Sequence, residues 1–242
     1  MSAERRHASA LVTLKRAGSL PPPVQAVGFD LDETLAVTTR DRRHLLADAS
    51  ERADAPSLSR AAYLDAHAEH SGHDTREPVF DALLSDHDTD ATADELAGAY
   101  REAVEAAMEP LAGVPGLVRA LQTDYRVGLL TDGPVEAQQS KLRALGWTDR
   151  FDATLVTGGL PAPKPDGRAF DALVDALEIP PEQFVYVGDH PENDVAGAAA
   201  AGMTSVQVLY DGGPDPHPDA TATLQRERLV VELPGLVAEL RD

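Results

Sequence analysis

Short apolar runs recur along the chain, separated by stretches in which apolar residues repeat with a helical period. Residues 24–29, 126–130, 153–156, 184–187 and 204–209 read as buried strands. Residues 114–123, 134–145, 167–177 and 193–201 read as the helices between them. The alternation predicts an α/β fold, a parallel sheet covered by helices on both faces. Ligands of such sheets bind beyond the carboxyl ends of the strands.

The pattern is interrupted once. Residues 36–112 show no strand periodicity and instead carry helical stretches near 41–53, 57–70, 76–86 and 92–108. Ser57 and Thr92 are expected N-caps, and Glu95, three residues after Thr92, completes a capping box. The division expected is therefore a core of residues 24–35 and 113–242 with a helical cap at 36–112, placed as a lid over the end of the first strand. Residues 1–23 form an accessory segment in which Ala10, Leu11 and Leu14 have helical spacing and Pro21–Pro23 ends the helix. Arg5, Arg6, Lys15 and Arg16 lie there, but no continuous apolar stretch follows them, so a targeting peptide is not expected.

Composition narrows the class. No run of 18 apolar residues suggests a membrane span. The absence of cysteine excludes disulfides, thiolate catalysis and Cys-ligated zinc. The formal charge is −20, with 18 arginines against 3 lysines and 25 aspartates against 16 glutamates. That field opposes non-specific binding to nucleic acid or an anionic membrane. The bias is similar to that of cytoplasmic proteins of halophilic organisms, whose high internal salt screens the self-repulsion.

The candidate chemistry sits where strands end. The first strand runs into FDLDET, with Asp30, Asp32 and Thr34. The second gives LLTDG, with Thr131 and Asp132; Lys164 follows the third in KPDG; the fourth gives GDHPEND, with Asp189, Asn193 and Asp194. A strand-end aspartate alone is ordinary turn or capping chemistry. Four such groups, in this order and each after an expected strand or loop, converge on one edge of the sheet.

These motifs resemble the haloacid dehalogenase-like (HAD) superfamily of hydrolases, in the branch with a helical cap after the first strand, over roughly residues 24–240. The resemblance implies a Rossmann-like core, a Mg²⁺ ion and, for most members, phosphate-ester hydrolysis through an aspartyl-phosphate. Asp30 is then the nucleophile and Asp32 the acid and base that protonates the leaving group and deprotonates water. Mg²⁺ takes oxygen ligands, here the carboxylates of Asp30 and Asp189 and, as the family adds, the backbone carbonyl of Asp32. Thr131 and Lys164 meet the transferring phosphoryl group, and Asp132 stands where many relatives have Asn, which puts its substrate contact in question. Asn193 and Asp194 support the metal or orient Lys164.

Other chemistries on this scaffold are separated by particular residues. A metal-free dehalogenase does not need Asp32, because halide leaves without a proton. A phosphonate hydrolase needs a cap lysine, and residues 36–112 contain none. A sugar phosphomutase shares the core residues, while a silent binding protein would not need both Asp30 and Lys164. The expected partner is a small phosphorylated metabolite. Which one is not legible, because the cap's ionisable residues, among them Arg40, Arg42, Arg43, His44, His70, His73 and Arg76, match no motif. Oligomeric state is not legible either.

Overall fold

A computed structural model describes residues 23–70 and 75–241; the accessory helix expected at the N-terminus, and His73, lie outside them. The first apolar run becomes β1 (Ala26–Phe29), every residue of it buried. Its side chains alternate as a two-residue period demands. Val27 and Phe29 pack with Val127, Leu129, Val185 and Val187 in one apolar cluster, whereas Ala26 joins Leu130, Phe184 and Tyr186 in another. A strand buried on both faces belongs in the middle of a parallel sheet. β1 lies between β4 (Arg126–Thr131) and β6 (Phe184–Gly188), parallel to both. β5 (Ala153–Val156) lies outside β4, while β7 (Thr204–Leu209) and β8 (Ala222–Gln225) continue beyond β6, giving the order β5-β4-β1-β6-β7-β8 with every pair parallel.

Helices cover both faces. α5 (Val114–Leu121) and α9 (Leu229–Arg241) pack through Leu117, Val118, Leu229 and Leu233 on the Phe29 side. α7 (Gly167–Leu177) packs through Phe170 and Leu173 on the Ala26 side. The sheet is thus the α/β, Rossmann-like core expected from the alternation. Phe29 is level with Leu129 and Val187, so Asp30, the turn after Thr131 and Asp189 leave the sheet side by side. No helix among the described residues is long and apolar enough to cross a membrane.

After β1 the chain enters α1 (Arg42–Arg52), α2 (Arg60–His70), α3 (Glu77–Leu84) and α4 (Ala93–Ala107). The Thr92 capping box forms as expected: Thr92 Oγ1 accepts from Glu95 N, and Glu95 Oε2 accepts from Thr92 N. The cap of α2 is displaced from the expected Ser57, since the hydroxyl that accepts a first-turn N–H is that of Ser59. The insertion is also not wholly helical. β2 (Ala36–Thr38) and β3 (Met108–Pro110) pair antiparallel at its two ends and tie its entrance to its exit. Three-residue strands are too short to show alternation, and their partners are distant in sequence.

Three further departures have local causes. The stretch expected as a helix over 193–201 is a π-helical turn, Pro191–Ala196, running into α8 (Gly197–Ala200). β8 and α9 carry no clear sequence signal. β8 buries only Leu224, and α9 contains Pro234, a helix breaker that reads as an end rather than a middle.

Candidate active site

Asp30 follows β1 and is buried, with its backbone N–H still donating to Val187 O. Its carboxylate accepts from Lys164 Nζ at 2.8 Å. Lys164, only 4% exposed, has three N–H donors and uses them on Asp30, on Asp194 Oδ1 at 2.6 Å and on the Tyr186 hydroxyl at 3.2 Å. Tyr186 donates its own O–H to Leu130 O, which leaves its oxygen free to accept. Burial alone would lower the Lys164 ammonium, but Asp194 and Asp30 outweigh it and hold it well above its ordinary value. Asp194 is steadied from the other side by His190 N. Gly188 makes room for it, since a Cβ there would sit 2.4 Å from the Asp194 carboxyl.

Asp189, one residue past β6, is held by two long hydrogen bonds, from Thr34 Oγ1 at 3.4 Å and from Tyr210 at 3.3 Å. Thr34 therefore ties the loop after β1 to β6. Burial, then the nearby charges of Asp194 and Glu33, push the Asp189 carboxyl up to about 7. Carboxylate oxygens of Asp30, Asp189 and Asp194 lie within 4.8 Å of one another. Three buried hard-oxygen donors with only one ammonium among them suit Mg²⁺, which binds through few carboxylates and keeps waters. Asp194 joins Asp30 and Asp189 in this cluster and also holds Lys164, while the side chain of Asp32, a residue expected to give the metal only its backbone carbonyl, faces elsewhere.

Asp32 belongs to a second pair. Lys141 Nζ, on α6 (Val135–Ala144), lies 2.7 and 2.6 Å from its two carboxylate oxygens, and Gln138 Nε2 donates to it at 3.0 Å. Positions 138 and 141 are one helical turn apart and so share a face. The enclosing cavity would raise the Asp32 carboxyl, though its side chain stays 40% exposed, and Lys141 and the Gln138 hydrogen bond outweigh that and lower it. Burial raises Asp30 well above its ordinary value, with Lys164 opposing. Burial and the two lysines thus push the carboxylates in opposite directions, Asp30 up and Asp32 down.

Thr131 is fully buried at the end of β4, and its hydroxyl accepts from Gln138 Nε2 at 3.0 Å. Asp132 acts as a clip. Its carboxylate accepts from Lys164 N at 3.1 Å and from Asn193 Nδ2 at 3.3 Å, and its carbonyl accepts from Gln138. The charge at 132 is thereby turned towards the Lys164 loop and the Pro191–Ala196 turn.

A cavity of about 210 Å³ opens between this edge and the insertion. Asp32, Asp132, Gln138 and Lys141 line its sheet side; Arg42, Tyr63, His67, Arg76 and Tyr100 line the other. Of the cap residues singled out in the sequence, Arg42 and Arg76 reach it. Arg101 on α4 pairs with Glu136 on α6 at 2.7 Å, fastening the insertion beside the cavity. Gln138 and Lys141 were not among the candidates, although a signal was available. Only three lysines occur in the chain, and the two in the described residues, Lys141 and Lys164, grip Asp32 and Asp30 respectively. Tyr186, Tyr210 and the Arg226–Glu33 pair at 2.6 Å were missed as well, since isolated aromatics and ion pairs leave no pattern.

Comparison with known proteins gives the chain a family. Residues 24–202 match the family model of haloacid dehalogenase-like hydrolases. Phosphoserine phosphatase of Thermus thermophilus is 30% identical, over 84% of this chain and 97% of that protein. Glyceraldehyde 3-phosphate phosphatase of Methanopyrus kandleri is 27% identical, over 76% of this chain and 84% of its own. Among solved structures, the HAD hydrolase YfnB of Bacillus subtilis, bound to magnesium, superposes with a TM-score of 0.67 at 20% identity, covering 90% of this chain and 99% of that one. The chain belongs to the haloacid dehalogenase-like hydrolase family.

Proposed function

We propose that the chain is a Mg²⁺-dependent phosphomonoesterase acting on a small phosphorylated metabolite, with Asp30 as the nucleophile. The observation that carries this reading is the arrangement of Asp30. It is a buried strand-end carboxylate between Lys164 and two further carboxylates, with a second aspartate two residues on at a cavity mouth. Named phosphatases among the relatives support it.

Asp30, Asp189 and Asp194 would hold Mg²⁺, with the backbone carbonyl of Asp32 as the family adds. When bound, the ion offsets the repulsion between Asp30 and the incoming phosphate. An Asp30 carboxylate oxygen attacks phosphorus, the ester P–O bond breaks, and the alcohol departs with a proton, leaving the phosphoryl group on Asp30. Water then attacks that acyl phosphate, releasing phosphate and restoring Asp30. Lys164 and the Thr131 hydroxyl meet the charge on the phosphoryl oxygens.

Asp32 moves the proton in both steps. Ionised by Lys141, it is ready to deprotonate water in the second. The first step on an alkyl ester needs its protonated form, so Lys141 must loosen its hold as the phosphate arrives and competes for the ammonium. Asp132 and Asn193 keep the Lys164 loop in place without touching substrate. We also assign the four inserted helices the role of a cap that encloses the leaving group.

The test is phosphate release from an aryl phosphate. Turnover with Mg²⁺ that EDTA stops supports the reading; undiminished turnover in metal-free buffer sinks it.

A further inference from the structure

The charges around the cavity are unevenly matched. Its three carboxylates lie on the sheet side, and each has donors of its own: Lys141 and Gln138 for Asp32, Arg226 for Glu33, Lys164 N and Asn193 for Asp132. The insertion side brings Arg42 and Arg76 and no acidic residue. Arginines elsewhere find carboxylates readily, as Arg40 does with Asp48, Arg101 with Glu136 and Arg168 with Asp166. Arg42 and Arg76 form no ion pair among the described residues. Arg42 lies over the Tyr63 ring at 5.4 Å from its centroid and Arg76 over Tyr100 at 5.6 Å. Arg76 Nε is buried without a hydrogen-bond partner among the described residues.

A buried guanidinium nitrogen with no acceptor is costly, and a bound anion removes the cost. His67, which lines the same cavity, is lowered to about 4 by burial and then by the charges of Arg76, Arg42 and Lys141. The cavity runs from Asp32, where the leaving oxygen must sit, to Arg76, so whatever the phosphate is attached to lies along it.

We propose that Arg76, with Arg42 at the mouth, is an anion subsite for the leaving group, and that the substrate is a small phosphomonoester whose alcohol carries a second anionic group, a carboxylate or another phosphoryl. This rests on the phosphatase reading for the reaction but not for the binding. The planar fork of Arg76 matches either anion in a bidentate contact. The cavity, about 210 Å³, is below the roughly 300–1,000 Å³ of a site for a drug-sized molecule, which favours an alcohol of a few carbons over a nucleoside.

The kinetic test compares phosphoglycerate, propanediol bisphosphate and glycerol phosphate, with an aryl phosphate as control for the reaction itself. At least one of the first two should exceed glycerol phosphate in kcat/KM by about 10- to 100-fold, as expected of a charge-assisted contact. Which of them does so identifies the anion. Arg76→Gln should bring the ratio towards one, chiefly through KM, and Arg76→Lys should retain part of it. Equal kcat/KM for all three, or a preference that survives Arg76→Gln, overturns the proposal. Should Arg76→Gln fail to fold, Arg42→Gln and the wild-type protein carry the test through binding. Malonate, followed by the NMR titration of His67 in the intact chain, should raise the imidazole midpoint, and less so in Arg42→Gln. No shift with malonate overturns the subsite, whatever the aryl phosphate shows; failure to hydrolyse the aryl phosphate overturns the phosphatase reading alone.

Discussion

The two sides of the cavity are built on opposite principles. On the sheet side the ammonium groups are spent inside the protein: Lys164 spends its three donors on Asp30, Asp194 and Tyr186, and Lys141 spans both oxygens of Asp32. On the insertion side Tyr63, Phe80 and Tyr100 pack ring to ring at 5.1–5.8 Å, and the two arginines rest on aromatic faces. A closed network fixes atoms to a geometry, which chemistry at phosphorus requires. A roof in which Arg76 Nε has no acceptor keeps a donor for a ligand, which selection of a leaving group requires. On the function proposed above, reaction and selectivity fall to different segments of chain.

The contrast can be broken most severely at Lys164. Lys164→Met leaves Asp30 and Asp194 buried without their cation, so stability in metal-free buffer should fall by about 3–5 kcal/mol, with activity lost as well. Added Mg²⁺ should recover much of the stability, because it replaces the missing charge. Denaturant melts with and without the ion measure both effects. An unaltered midpoint would mean that the sheet side is less closed than its distances imply.

The insertion side can be sharpened by pH. His67 has its folded value lowered from 6.5 to about 4, so between these values the unfolded chain binds the extra proton. Stability from this residue is complete above about pH 6.5, declines as pH falls towards 4 and changes no further below that. At about 1.4 kcal/mol per unit a fully enclosed imidazole would give about 3 kcal/mol; His67 is only partly buried, and solvent screening reduces the expected effect to about 1–2 kcal/mol. His67→Gln should flatten that part of the stability curve, measured as the difference between the two proteins from pH 7 to pH 4. A difference that does not vary with pH would show that the arginines are neutralised by something else.

Lys141→Gln should have the smallest effect on the fold, because Asp32 remains 40% exposed and can be rehydrated. Turnover of an alkyl phosphate should still drop by about 10- to 100-fold as Asp32 loses its orientation. The acid limb of the pH–rate profile should move upward, since the charge that lowers Asp32 is gone. A profile that falls in height without moving would make Lys141 structural only.

How much of this was legible depended on whether a residue's role is local. Strands buried on both faces, the alternation of the core and the Thr92 capping box are written in short windows, and they fold as read. Asp30, Thr131, Lys164, Asp189 and Asp194 were legible because each follows a strand or loop in a fixed order. Lys141 and Gln138 were not, because they reach Asp32 from the middle of α6, more than a hundred residues along the chain, and nothing local marks them. The same holds for β2 and β3, whose pairing exists only once the insertion has folded. Arg76 looked like one more solvated cation; its unpaired Nε is visible only when the ring beneath it is in place. Composition, which first served to exclude partners, turned out to point at the site, since lysines so scarce are found on the two aspartates of DLD.

The central claim is that Asp30 takes the phosphoryl group. The direct measurement is acid quenching during turnover of a radiolabelled phosphomonoester with Mg²⁺, followed by mapping of the label on the digested protein. The account predicts label on the peptide containing Asp30, accumulating when Asp32→Asn slows hydrolysis of the intermediate, and none in Asp30→Asn, whose turnover should fall by at least about a thousand-fold. Turnover with no protein-bound label under any of these conditions, or label retained in Asp30→Asn, would contradict it.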